Sequence, residues 1–220
     1  MLCWYVSRNM IETQEKTKLF WSKSLAAALY RRFAGRRFSK MHAVVAEQVA
    51  SRQPRDILDI ACGPGDFLFR LSNRLLAAHL TGTDVAPGMV EHAKKKLAGR
   101  ALIVEADGAK QPFPENSFDI ATVMMAFHHF PEKDLAVRNI RKILKPDGVL
   151  IIVDVVAGSN FQKKLWNFSE KVINIRGYVG HYTETEIKEI ADRNGYVGSC
   201  ERMPGVAGRY RICFFVPKVM

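Results

Sequence analysis

The sequence predicts an α/β fold built on a doubly wound sheet of seven strands, mostly parallel, with an antiparallel hairpin at the C-terminal edge. Three observations predict it. Short apolar runs alternate with amphipathic segments between residues 56 and 155, and runs such as 150–153 are apolar throughout. Two further β-like runs close the chain. Continuously apolar strands indicate burial on both faces, as in a parallel sheet covered by helices.

The repeated strand–helix pattern can be assigned element by element. The predicted strands are Asp56 to Ile60, His79 to Asp84, Ala101 to Glu105, Phe118 to Met124 and Gly148 to Val155. The predicted helices between them are Phe67 to Ala78, Pro87 to Ala98 and Lys133 to Leu144. Their apolar residues recur at helical spacing, which favours packing of one face against the sheet.

The segments outside this pattern predict a domain of residues 53–220 preceded by a helical cap or lid over 1–52. Apolar residues at i, i+3 and i+4 spacing predict two helices there, around Leu25 to Phe33 and Val44 to Val49. Residues 155–182 are long for a connection and predict a cap insertion. A capping box at Thr183 to Glu186 opens the last helix, and strands at 196–202 and 210–216 form the hairpin.

Composition bounds the class of protein. The chain has 220 residues and a formal charge of +11, with basic side chains crowded between Arg31 and Lys40. A basic face attracts nucleic acid, anionic lipid or an acidic substrate. No apolar run approaches the roughly 20 residues of a membrane span, so a cytoplasmic location is expected. Cys3, Cys62, Cys200 and Cys213 have no metal-ligand spacing and are expected to be reduced thiols, with no metal site.

A glycine-rich loop follows the first strand. Gly63 and Gly65 lie where the backbone must turn tightly, and Asp84 ends the second strand 21 residues after Gly63 (84 − 63). An acid at that distance suits ribose hydroxyls and predicts an adenosine-bearing cofactor. Leu68 replaces the third glycine of a dinucleotide loop, and the charge of Asp59 disfavours a pyrophosphate. A ligand with a cationic methionyl tail fits this loop better.

At this point several segments resemble one family. Leu58 to Asp66, Thr81 to Met89, Glu105 to Gly108 with Pro112 to Pro114, and Leu144 to Gly148 are similar to motifs of the class I S-adenosylmethionine-dependent methyltransferases. The similarity covers roughly residues 55–155 and is greatest to small-molecule enzymes of ubiquinone/menaquinone biosynthesis and natural-product methylation. It implies a Rossmann-like fold and S-adenosylmethionine as cofactor. Asp147 departs from the usual glycine, at a turn far from the cofactor.

The resemblance also implies roles for individual residues. The methionyl end would be held by the carboxylate of Asp59 and the loop backbone, and the ribose by Asp84. The adenine would contact Val85, Met89 and the Asp107-Gly108 turn. The full set of predicted cofactor-binding residues is Tyr30, Asp59, Ala61, Gly63, Gly65, Asp84, Val85, Met89, Asp107, Gly108, Met124 and Met125.

Two histidines follow the fourth strand, and an acid ends the fifth. Because these strands are predicted neighbours, His128 and Asp154 should meet at the sheet edge beside the methyl donor. We predict His128 as a general base with Asp154 as its partner, and His129 as the alternative base. A purely structural histidine, capping the next helix or filling the core, is the competing interpretation.

The predicted function is methyl transfer from S-adenosylmethionine to an O, N or C nucleophile of a small molecule, hydrophobic or anionic. An RNA or protein methyltransferase using the basic N-terminal helix is one alternative. A non-catalytic cofactor-binding partner subunit is another, and a dehydrogenase is the least favoured. Met124 to Phe127 stand where nucleic-acid amine methyltransferases carry an Asn/Asp-Pro-Pro-aromatic motif, which weakens the RNA alternative. The acceptor and the oligomeric state are not predicted.

Overall fold

A seven-stranded sheet forms the centre of the computed structural model, which describes Leu19 and residues 38–173, 180–206 and 209–218, the side chains of 170–173 excepted. The strands are β1 (Asp56–Ile60), β2 (His79–Asp84), β3 (Leu102–Glu105), β4 (Phe118–Met124), β5 (Leu144–Val155), β6 (Tyr196–Arg202) and β7 (Tyr210–Pro217). Their order across the sheet is β3-β2-β1-β4-β5-β7-β6.

Strands β1 to β5 pair in parallel, and β7 runs antiparallel to both β5 and β6. The predicted doubly wound sheet with a C-terminal antiparallel hairpin is therefore confirmed. Strand β1 lies between β2 and β4, so the direction of winding changes at β1 and leaves a crevice at the carboxyl ends of β1 and β4. In open α/β sheets, ligands bind in that crevice.

Helices cover both faces of the sheet. They are α1 (38–50), α2 (Asp66–Ser72), α3 (Pro87–Leu97), α4 (Lys133–Ile143), α5 (Asn160–Ile173) and α6 (Glu184–Arg193), with a 3₁₀ turn at Phe127–His129. Because of these helices, neighbouring residues of β1 are buried on opposite faces of the sheet. Ile57 belongs to the apolar cluster on one face and Leu58 to the cluster on the other, both with 0% exposure. Burial on both faces explains why the central strands are apolar throughout.

Helix α1 contributes Met41, Val45, Ala46 and Val49 to the core, each at most 1% exposed. The second of the two predicted N-terminal helices is therefore present and packs on the sheet. The first predicted helix, around Leu25 to Phe33, lies outside the described residues. The division at residue 52 and the lid role of the N-terminal segment remain predictions.

Helix α2 ends at Ser72 instead of the predicted Ala78. The Ser72 hydroxyl and the Asn73 side-chain amide both donate to the carbonyl oxygen of Phe69, at 2.9 and 3.0 Å. Side chains that compete for backbone acceptors in this way weaken a helix. Strand β5 is longer than predicted, because it begins at Leu144 and not at Gly148.

The expectation of four reduced thiols is wrong for Cys200 and Cys213. The structure joins them in a disulfide between β6 and β7, where the hairpin register places them directly opposite each other. Their sequence separation of 13 matches no recognised motif, so only the strand pairing brings them together. Cys62 is a free, buried cysteine.

The capping box of α6 is confirmed. The Thr183 hydroxyl accepts from the backbone N–H of Glu186 at 3.3 Å, and the Glu186 carboxylate accepts from the backbone N–H of Thr183 at 2.9 Å. Two backbone donors at the helix start are satisfied reciprocally. In the described part of the chain, every helix is too short or too polar to cross a membrane.

Candidate active site

The glycine-rich loop is held by Asp84. One carboxylate oxygen accepts from the backbone N–H of Gly63 and the other from that of Ala86, each at 2.9 Å. Burial raises the pKa of Asp84 to about 6, although these backbone donors act to lower it. The predicted ribose-binding residue thus ties the loop after β1 to the start of α3.

Gly65, at the start of α2, needs to be glycine for two reasons. Its φ of 80° is in the left-handed region, which glycine adopts without steric cost. A Cβ there would also lie 3.1 Å from the Leu97 side chain and 3.2 Å from that of Ala93. The loop therefore packs tightly against α3 while its backbone faces the crevice.

Asp59 lies deeper, at 1% exposure. The Thr122 hydroxyl, on the neighbouring strand β4, donates to its carboxylate at 2.7 Å. Burial raises the pKa of Asp59 to about 7, the Thr122 hydrogen bond opposes this shift, and the charge of Asp84 adds to it. A cationic ligand group would stabilise the ionised carboxylate. This is the property expected of a residue that holds a methionyl ammonium.

A cleft opens above these residues at the carboxyl ends of β1 and β4. It is lined by Phe38, His42, Asp59, Ala61, Cys62, Gly63, Pro64, Asp66, Phe67 and Met124. Four of the predicted cofactor-binding residues, Asp59, Ala61, Gly63 and Met124, line it together. Burial lowers the pKa of His42 to about 4, so the imidazole facing this cleft is neutral near pH 7.

His42 was not predicted from the sequence. It belongs to α1, and its ring contacts Phe38 and Phe67 with centroids 6.5 and 5.8 Å away. Nothing in the local sequence distinguishes it from a solvent-facing helix residue. Thr122, also missed, had a signal: it is the β4 residue beside Asp59 once β1 and β4 are taken as neighbours.

The predicted adenine-binding turn lies at the end of β3. The Asp107 carboxylate accepts from the backbone N–H of Ala109 at 2.8 Å, and the Gln111 amide donates to the Asp107 carbonyl oxygen at 2.7 Å. At Gly108 a Cβ would lie 2.4 Å from the ring of Phe130. Close packing against this ring therefore requires glycine there.

The remaining predicted cofactor residues are placed differently from one another. Met89 is 2% exposed and Met124 9%. Val85 is half-buried, and Met125 has a φ of +52° just after β4. Tyr30 lies outside the described residues. The individual roles of all twelve residues remain predictions.

His128 and Asp154 meet as the strand order predicts. The carboxylate lies 2.7 Å from His128 Nδ1 and also accepts from the His128 backbone N–H at 3.0 Å. The His128 side chain is 10% exposed and that of Asp154 1%. With Nδ1–H donating to the carboxylate, Nε2 carries the lone pair. An imidazole in this tautomer is competent to accept a proton.

Asp154 is held in its ionised form. Burial would raise its pKa, but His128, the Val155 backbone N–H and the Tyr182 hydroxyl outweigh burial and leave the pKa below its ordinary value. The Tyr182 hydroxyl donates to Asp154 at 2.9 Å. Asp154 therefore accepts four hydrogen bonds, and Tyr182 is a member of the site that sequence reasoning had assigned only to the cap.

Further aromatic rings surround the pair. His129 lies beside His128 with ring centroids 4.2 Å apart, and His181 stacks on the same ring at 5.8 Å. Trp166 of α5 meets His181 edge-on at 5.1 Å. Burial lowers the pKa of Lys133 to about 8, against the effect of the Asp154 charge. The site combines one ionised acid with aromatic and imidazole surfaces.

The chain is similar to known proteins. The family model described as a methyltransferase domain matches residues 58–152. The chain is 35% identical over 106 residues to a demethylmenaquinone methyltransferase of Thermus thermophilus, covering 47% of this chain and 48% of that protein. It is 27% identical over 161 residues to a sterol 4-C-methyltransferase of Caenorhabditis elegans, covering 70% and 48%. The chain thus spans about half the length of the curated relatives it matches.

A solved structure of an O-methyltransferase family protein from Burkholderia thailandensis superposes with a TM-score of 0.74 at 18% identity. The superposition covers 90% of this chain and 61% of that one. At this identity the likeness concerns the fold alone, and it agrees with the strand order described above.

Proposed function

Because residues 58–152 form a methyltransferase domain of the class I S-adenosylmethionine-dependent family, we propose that the chain methylates a small, hydrophobic molecule. The observation that carries this proposal is the junction of two sites at one sheet edge. A cleft with a buried acid lies at the ends of β1 and β4, and an imidazole–carboxylate pair lies at the ends of β4 and β5.

The residues of the cleft fit the cofactor. S-adenosylmethionine, when bound, supplies a methyl group activated by the neighbouring sulfonium. Asp59 is a buried acid that a methionyl ammonium would stabilise, and the carboxylate of Asp84 is an acceptor of the kind that suits ribose hydroxyls. Asp107 and Gly108 offer an acceptor and a donor for the adenine edge. These residues bind and orient, and orientation alone supplies roughly 7–11 kcal/mol of the barrier reduction.

His128 would take the proton that the acceptor loses. Nε2 accepts this proton while Nδ1–H stays hydrogen-bonded to Asp154, so the carboxylate stabilises the imidazolium that results. Tyr182 and the Val155 backbone N–H keep the carboxylate in place. Asp154 and Tyr182 are positioning residues in this proposal, and His129 remains the alternative base.

The acceptor is proposed to be apolar and ring-containing. The rings of Trp166, His181 and His129 gather around His128. The relatives named above act, by their names, on demethylmenaquinone and on a sterol, which are acceptors of that kind. A cytoplasmic location is part of the same proposal.

The test follows methyl groups labelled with tritium from S-adenosylmethionine into an organic-solvent extract of cells that carry the protein. The wild-type chain should label extractable molecules, and His128→Ala should lower the rate by about 10²–10⁴-fold. Affinity for S-adenosylhomocysteine, measured by calorimetry, should change less than about twofold. His79→Ala is the matched control, because that side chain is 84% exposed at the opposite end of the sheet.

Two outcomes would overturn the proposal. Loss of cofactor affinity in His128→Ala, in parallel with activity, would make this histidine structural. Label recovered in RNA or protein instead of the extract would favour the alternative suggested by the charge of +11.

A further inference from the structure

Helix α5 exposes a stripe of large apolar side chains. Phe161, Leu165 and Phe168 are 77%, 55% and 66% exposed. They follow one another at i, i+4 and i+7, so they lie on one face of the helix. We call Phe161, Leu165 and Phe168 the α5 stripe. Single exposed apolar residues are common on protein surfaces, but three on one helix face indicate an interaction surface.

The opposite side of α5 attaches to the protein largely through polar groups. Lys163 forms an ion pair with Glu186. The Asn167 side-chain oxygen accepts from the backbone N–H of His181 at 2.7 Å, and Trp166 packs edge-on against the same residue. A helix on a globular domain usually turns its apolar face inward. In α5 the orientation is reversed, so packing among the residues that the structure describes does not account for the stripe.

The charge of α5 identifies the occupant. Helix α5 contains three lysines, Lys163, Lys164 and Lys171, and one acidic residue, Glu170. Lys164 is exposed and lies at i+3 from Phe161, on the face of the stripe. A lysine among apolar side chains keeps its stem in an apolar environment while its ammonium reaches a polar, anionic layer. Phe, Leu and Lys on one helix face form the pattern of an interfacial helix.

A second copy of the chain fits less well. A stable protein interface buries about 800 Å² on each partner. Two phenylalanine side chains of about 150–250 Å² each and one leucine, all partly covered already, fall short of that area. Two stripes facing each other would also bring together two copies of Lys164.

We propose that α5 docks on the surface of an anionic lipid membrane, with the α5 stripe in the acyl–headgroup boundary. The helix lies in the plane of the surface and does not span it. Trp166, on its protein side, reaches through His181 to His128, so docking places the candidate active site next to lipid. The inference does not depend on methyl transfer, because docking requires neither donor nor acceptor.

Flotation with lipid vesicles tests the proposal on the full chain. Phosphatidylcholine vesicles with and without phosphatidylglycerol are the probes. The wild-type chain should float with the anionic vesicles and release at high salt. The triple variant Phe161→Ser, Leu165→Ser, Phe168→Ser should lower the partition coefficient at least about tenfold.

The matched control is the double variant Leu76→Ser, Leu102→Ser. These side chains are 89% and 59% exposed and lie outside α5, so partitioning should stay at the wild-type value. All variants change exposed residues, and thermal melting checks that each one folds.

Equal flotation of the triple variant and the wild type would overturn the proposal, since other basic residues would then hold the protein on lipid. Absence of wild-type flotation would overturn it as well. A wild-type dimer that the triple variant dissociates, seen by light scattering, would make a second copy the occupant of the stripe.

Discussion

Replacing Asp154 with asparagine tests the network at the ends of β4 and β5. The Asp154 side chain is 1% exposed, and its carboxylate accepts from the His128 ring, the backbone N–H groups of His128 and Val155, and the Tyr182 hydroxyl. Asparagine keeps the shape of the aspartate side chain but has a single acceptor oxygen, because an NH₂ group replaces the other one. The two groups that donate to the replaced oxygen in the wild type then face a donor. If the NH₂ group faces Tyr182 and the His128 backbone N–H, the Tyr182 hydroxyl can turn to accept. If it faces the His128 ring and the Val155 backbone N–H, His128 Nδ1 can accept after a change of tautomer. In either orientation one backbone N–H loses its acceptor.

The expected loss of stability follows from this arrangement. One backbone N–H is left buried without an acceptor, which costs about 1–3 kcal/mol. The bonds that survive change from charge-assisted to neutral, which costs about 1 kcal/mol each. We expect Asp154→Asn to lower the free energy of unfolding by about 3–5 kcal/mol at pH 7. Tyr182→Phe removes a single donor and should cost about 1–2 kcal/mol.

Urea unfolding followed by circular dichroism measures both variants. The folded-state pKa of Asp154 lies below its ordinary value, so its ionisation stabilises the fold above the unfolded pKa of about 3.9. This contribution is lost as the pH falls through the folded pKa. The difference between wild type and Asp154→Asn should therefore shrink on acidification below pH 4. A loss under about 1 kcal/mol at pH 7, or one smaller than that of Tyr182→Phe, would refute the reasoning.

Two other expectations concern the cofactor loop and the hairpin. Burial raises the pKa of Asp59 to about 7, and a bound ammonium favours the ionised form. Calorimetric affinity for S-adenosylhomocysteine should therefore rise between pH 5.5 and 7.5, where the α-amino group of the ligand stays protonated. Asp59→Asn should abolish that rise, and a pH-independent wild type would contradict this expectation. Reduction of the Cys200–Cys213 disulfide, or Cys200→Ser, should cost about 3 kcal/mol because a loop closed across 13 residues is released. Thermal melts with and without reductant measure the loss, and equal melts would show that the bond contributes nothing.

The parallel sheet could be predicted because each central strand is buried on both faces. Strand β4 was predicted with its observed bounds, since its run is apolar apart from Asp119 and Thr122. The meeting of His128 with Asp154 was predicted because the fourth and fifth strands were taken as neighbours, and adjacent parallel strands end at the same edge of the sheet. Local hydrogen bonds could not be predicted in the same way. The side chains of Ser72 and Asn73 donate to the Phe69 carbonyl oxygen at the end of α2, and these bonds leave the helical spacing of the apolar residues unchanged.

Residues far from the motifs could not be assigned. Tyr182 reaches Asp154 from 28 residues further along the chain, across a connection with no strand register to place it. His42 faces the cofactor cleft only because α1 packs on β1 and β4. For the α5 stripe, the sequence predicted only a cap insertion over 155–182, and the orientation of α5 depends on which side contacts Glu186 and His181.

The sequence by itself determined the alternation of strands and helices and the position of the cofactor loop. Both follow from local patterns in the sequence. The spacing of apolar residues predicts the strands and helices, and the glycines of the loop with the acid at the end of the next strand predict the cofactor site. Only the tertiary structure decided which side chains support the His128–Asp154 pair, which cysteines bond and which face of α5 is exposed. These features depend on contacts between segments distant along the chain, and their geometry is set by packing, which no local pattern encodes.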